Sequence, residues 1–158
     1  MTSSRRRPFF LSAAAVVLLA AAGCSSTDAP ASITVPSASP EEAALCRALH
    51  EELPDSVAGM DRKDPEPASE LTAGWGDAAI VLRCGVPRPE KMNDPEADGV
   101  TVGGVDYLLE QQDDGSFRFT TTYRKAYVEV TLTKKYASDV TPLIPLGAPI
   151  KKTVPASL

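Results

Sequence analysis

The chain has 158 residues, of which 43% are hydrophobic and 23% charged, so it has room for one compact domain and lacks the composition of a disordered protein. Its net charge of -5 hides an asymmetry: residues 1–23 contain Arg5, Arg6 and Arg7 and no acid, leaving 13 basic against 21 acidic residues beyond them, near -8. Such a surface offers counterion release on a phosphate backbone no basic footprint, which argues against nucleic acid as a partner.

The three arginines precede an apolar run, FFLSAAAVVLLAAAG, over residues 9–23. A charged start, a short apolar stretch and a small-residue end predict a signal peptide over 1–23. The run is short of the ~20 apolar residues that a membrane-spanning helix needs. Its end, Ala21-Ala22-Gly23-Cys24, resembles the lipobox of bacterial lipoproteins, with cleavage between Gly23 and Cys24 and lipid carried on Cys24; Ala21 stands where that pattern favours Leu. Several acyl chains, at ~0.8 kcal/mol per buried CH₂, anchor a protein where one chain holds only marginally. The expected location is therefore the outer face of the cell membrane, through the lipid on Cys24. Arg6-Arg7-Pro8-Phe9-Phe10 also resembles a twin-arginine signal, which leaves that route and general secretion both open.

Residues 24–40 are rich in Ser and Pro and predict a flexible stalk, with a single α+β domain over 41–158. Ser39-Pro40-Glu41-Glu42 supplies an N-cap, a proline at the first helical position and a capping-box glutamate, so a helix is expected from there to about Leu53. Leu45, Cys46, Leu49 and Leu53 share one face of it. Residues 60–78 read as a loop leading to Trp75, and the apolar run over 78–86 reads as a buried central strand. Strand material over 99–112 follows, then a hairpin turn at Asp113-Asp114-Gly115. Phe117, Phe119, Thr121 and Tyr123 alternate along one strand, and Val128, Val130 and Leu132 along the next. For residues 141–158, a short helix near 143–152 and an irregular tail both remain open. The expected fold is α+β: an N-terminal helix, with or without a C-terminal one, packed on an antiparallel sheet of about four strands.

With Cys24 assigned to lipid, Cys46 and Cys84 form an even pair in an oxidising compartment, and a disulfide from helix to sheet is the plain expectation. The alternative is a metal site of Cys46, His50 and Cys84, but no fourth ligand is specified and oxidation removes the thiolates, so no metal and no cofactor is assigned. Residues 94–99 resemble the first half of a calcium loop, yet Val105 occupies the position of the bidentate glutamate, and an acidic surface loop fits better. A nucleophilic triad has only His50 to draw on, and Gly103-Gly104 is a flexible pair rather than a phosphate cradle. Trp75, between Gly74 and Gly76, is read either as a plug at the rim of the core or as a contact for a ligand or partner.

The string from Trp75 to Val86, of the form W-G-x-x-x-I-V-L-R-C-G-V, resembles that of small actinobacterial lipoproteins carrying a domain of unknown function. The likeness takes in the Cys46 helix ending at Leu53-Pro54, Val105 to Tyr107 and the Phe119 to Val130 pair, and departs from the family near Ala78 and Tyr107. It implies a membrane-attached envelope protein and no particular activity. The functional expectation is a lipid-anchored, non-catalytic binding or interaction module whose partner is an envelope protein or a wall component. The alternative is a lipoprotein that binds a small molecule or a metal, such as a delivery subunit.

Overall fold

A computed structural model describes residues 32–136 and 139–157. Gly23 and Cys24, and with them the expected signal peptide and lipidation site, lie outside the described residues.

Helix α1 runs over Pro40–Glu52. Its first turn is held by the capping box: the Ser39 hydroxyl accepts from the Glu42 amide, and the Glu42 carboxylate accepts from the Ser39 N–H at 2.9 Å. The hydrogen bonds from Ser39 hold the Glu42 carboxyl below the usual glutamate range. Leu53 ends the helix in an extended conformation, as the residue before a proline must. Cys46 and Leu49 form the buried stripe.

The strands are β1 (Ser56–Val57), β2 (Met60–Asp61), β3 (Thr72–Trp75), β4 (Ile80–Val86), β5 (Gly99–Val102), β6 (Val105–Gln111), β7 (Phe117–Thr121) and β8 (Tyr127–Leu132). The first two make a separate small hairpin, and the other six form one antiparallel sheet ordered β3-β4-β8-β7-β6-β5. The sheet therefore has six strands rather than the four expected, for two reasons. Thr72–Trp75, hidden in a polar, proline-bearing stretch, pairs with Ile80–Arg83 as an edge strand. The material over 99–112 is two strands, because Gly103 and Gly104 both hold positive φ, 61° and 76°, and make the two-residue turn that a twisted hairpin favours. The expected turn at 113–115 is present, with Gly115 at φ 80° and the Ser116 amide donating to the Asp114 carboxylate.

Strand alternation gives the sheet two different faces. Trp75, Ile80, Leu82, Val130, Leu132, Phe119 and Tyr107 point to one side, where they meet Cys46 and Leu49 of α1 and Leu146 and Ile150 of helix α2 (Ile144–Thr153) in a single core. The C-terminal segment is thus helical, and its glycine has a packing reason. A Cβ on Gly147 would lie 2.4 Å from the Gly103 carbonyl oxygen, so α2 meets the β5–β6 turn backbone to backbone.

The disulfide joins Cys46 of α1 to Cys84 of β4, with both residues 1% exposed. Next to it, Gly85 holds φ 82° at a register shift in β4, and a Cβ there would strike that of Ala38 at 2.5 Å. The segment entering α1 therefore lies directly against β4.

Candidate functional site

The opposite face of the sheet is polar. Arg83 on β4, Glu129 on β8, Arg118 on β7 and Glu110 on β6 make a row of alternating charge across it. Glu129 is only 8% exposed and has Arg83 and Arg118 at 3.5 Å on either side. Within this row Arg83 Nε, Arg118 Nε, Glu110 Oε2 and the Thr120 hydroxyl are inaccessible to solvent and have no hydrogen-bond partner.

Beyond the row, toward β5, the same face carries a groove of about 380 Å³. One wall is the connection that leaves β4 and crosses to β5; it contributes Arg88, Met92 and Asp98. Leu108, Asp106 and Thr101 on β6 and β5 share the sheet face that floors it, and Tyr127 opens β8 beside them. The far wall is Thr122, Tyr123 and Ser157. Each wall is fixed by its own bonds. Arg88 donates to the Asn93 side chain at 2.6 Å and to the Met92 carbonyl at 3.2 Å, curling the connection on itself. Lys91 pairs with Asp94, whose carboxylate also accepts from the Glu96 amide; these bonds hold the Asp94 carboxyl below the usual aspartate range and engage both of its oxygens. The Thr101 hydroxyl donates to Asp106 at 2.6 Å.

Tyr123 is the unusual member. The alternation through Phe117, Phe119 and Thr121 predicts that Tyr123 continues β7 on its inner face, but the strand stops at Thr121. Tyr123 sits in the following turn at φ 53°, a left-handed conformation costly for a bulky side chain, and is 62% exposed. The turn is held by its neighbours: the Thr122 amide donates to the Asp106 carbonyl, the Ser157 amide to the Tyr123 carbonyl and the Lys125 amide to the Pro155 carbonyl. The C-terminal segment thus clamps an aromatic ring at the rim of the groove.

The residues singled out from the sequence lie elsewhere. Trp75 is 0% exposed, and its indole N–H donates to the Pro54 carbonyl at 3.0 Å. The flanking glycines bring backbone close on one side only, and the ring is covered by the core, which corrects its reading as a ligand or partner contact. Cys46 and Cys84 are joined to each other and hold no thiolate for a metal. His50 is half-buried against Arg62, whose Nη2 stands 2.8 Å from Nε2 of the ring and whose guanidinium also grips Asp64. Among the described residues no group of three or more His, Cys, Asp or Glu side chains is placed to hold a metal ion. Tyr107, although its backbone reaches the groove, turns its ring into the core edge-on to Phe119, and burial pushes its phenol well above the ordinary tyrosine range, with Arg124 pulling modestly the other way.

The groove residues carry little sequence signal. Asp106, Tyr123 and Tyr127 come from different strands and turns, and only the sheet order brings them together. The positive φ of Tyr123 leaves no mark in composition.

A model of the family described as "Protein of unknown function (DUF3515)" matches residues 10–158, and the chain belongs to that family. No curated protein and no solved structure matches it.

Proposed function

We propose that this DUF3515 member is a lipoprotein, held to the outer face of the cell membrane by lipid on Cys24, and that its domain is a non-catalytic module binding an envelope protein or wall component at the groove. The single observation that carries the binding reading is the strained, exposed Tyr123 ring fixed at the rim of a 380 Å³ groove. Backbone strain persists where the surrounding structure over-determines it, and such sites cluster where function needs them. The lipid anchor is supported by the Ala-Ala-Gly-Cys junction after an apolar run too short to span, and among the described residues no helix is long and apolar enough to cross a membrane. Ala38, leading into the domain, lies against β4, four strand positions from β5, or about 19 Å at the spacing of paired strands. The β5 side of the groove is thus set away from the point where the chain enters the domain, while Arg88 and Tyr127 bring its other side close to β4.

Two measurements test this. A Cys24→Ala variant should leave the membrane fraction; retention there refutes the anchor. A photo-crosslinking residue at position 123, in intact cells, should return a reproducible envelope partner, and enrichment no greater than from an unrelated lipoprotein refutes the module. The groove volume also lies in the range of small-molecule sites, which supports a small-molecule-binding lipoprotein as the second reading.

A further inference from the structure

The groove lies along an open edge of the sheet. In the β5–β6 ladder the Leu109 amide donates to the Asp98 carbonyl, so Asp98–Leu109 is a hydrogen-bonded pair, and alternation makes Val100–Tyr107 the next. The N–H and C=O of the intervening Gly99 and Thr101 therefore point away from β6, and no described strand pairs with that side of β5. Such an edge is a template for another extended chain. Gly99 and Thr101 also line the groove, so a strand added there would lay alternate side chains over it.

The charge around the groove selects among such chains. Between residues 88 and 106 stand five acids and two bases. Lys91 is paired with Asp94, while Arg88 is tied to the neutral Asn93 side chain and Met92 carbonyl and keeps its charge at the groove, so the segment stands at a net -3. Asp106, exposed on the groove face, forms no ion pair; Asp98, exposed at the entrance to β5, also lines the groove within the field of Lys91, and the Tyr123 ring stands at the rim. An exposed carboxylate and an aromatic face make a seat for a lysine or arginine side chain, which tyrosine rings attract through their quadrupole.

We propose that the groove is the side-chain pocket of a strand-addition site: an extended basic peptide segment of a partner protein pairs with the open edge of β5 and places a lysine or arginine against Asp106, with Asp98 adding to the negative field. This rests on the groove being the binding surface of the domain. It names the chemistry of the partner.

The test uses the full chain in detergent and labelled eight-residue peptides, followed by fluorescence anisotropy at low salt. A peptide alternating Lys and Thr should bind. Its Glu-Thr counterpart should not, and a Lys-Thr version with alternate backbone amides methylated should lose at least tenfold in affinity. Asp98→Asn together with Asp106→Asn should weaken the Lys-Thr peptide at least tenfold, while thermal melting stays that of the parent chain. Equal binding of the Lys and Glu peptides, or indifference to the aspartate pair, overturns the proposal. Retained affinity of the methylated peptide, with spermidine competing equally, overturns strand addition by showing a site for free amines. A partner captured by crosslinking at position 123 alongside no binding of the Lys-Thr peptide refutes the ligand class alone and leaves the groove as the binding surface.

Discussion

Replacing Cys46 and Cys84 together by alanine removes the covalent tie between α1 and β4, and the size of the effect follows from the loop that the bond closes. The two residues are 38 apart in sequence. Loop-closure entropy for that span is about 13 cal/mol/K, or about 4 kcal/mol at room temperature in the chain-entropy model. A domain of about 120 residues unfolds with an entropy of about 0.25 kcal/mol/K near its midpoint, so the melting temperature should fall by about 15 °C. The parent and double variant are compared by circular dichroism melts, with mass spectrometry confirming the crosslink in the parent. Because both cysteines are 1% exposed, reductant should act on the native parent only slowly and convert it to the variant's behaviour once it has been unfolded and refolded. A fall of less than about 5 °C would mean that the bond does not stabilise the domain through its unfolded state.

Three further outcomes are expected. Gly147→Ala should destabilise by about 1–3 kcal/mol in denaturant titration, because the new methyl meets the Gly103 carbonyl; helix propensity alone predicts a gain of about 1 kcal/mol, so the sign decides whether the backbone contact exists. Glu129→Ala should cost about 1–2 kcal/mol in the same assay, since it leaves Arg83 and Arg118 unpaired on a nearly covered face; an unchanged midpoint refutes the charged row as a stabilising element. In an alkaline titration followed by phenolate absorbance, one of the four tyrosines should resist ionisation until the domain unfolds, and Tyr107→Phe should abolish that late step. The sign follows from the raised folded-state pKa: the stability tied to the neutral Tyr107 phenol is complete below the ordinary tyrosine range and is lost as pH climbs above it.

Local chemistry made much of the fold legible. Ser39, Pro40 and Glu42 announce α1, and the alternation of Phe117 and Phe119 against Val128, Val130 and Leu132 announces the β7–β8 pair. What escaped depended on partners distant in sequence. Thr72–Trp75 has no alternation because every residue of it is buried, so only its pairing with β4 identifies it as a strand. Gly103-Gly104 looked merely flexible because two adjacent glycines suit many conformations, and the turn they adopt is set by the strands they join. The same holds for the groove, whose residues are neighbours only after a six-strand order is laid down. Trp75 misled for a converse reason. Flanking glycines signal close approach, but here what approaches is the protein's own backbone, with the Lys63 carbonyl 2.8 Å from where a Cβ on Gly74 would sit.

The position of the disulfide also decides how the domain bears tension. A pull applied through the residues that precede Ser39 can unwind α1 only as far as Leu45 before it reaches Cys46. From there the load passes through sulfur into Cys84 on β4, which lies inside the sheet with β3 on one side and β8 on the other. The helix then cannot be peeled from the core one turn at a time. Force must instead shear β4 from the strands hydrogen-bonded to it on either side.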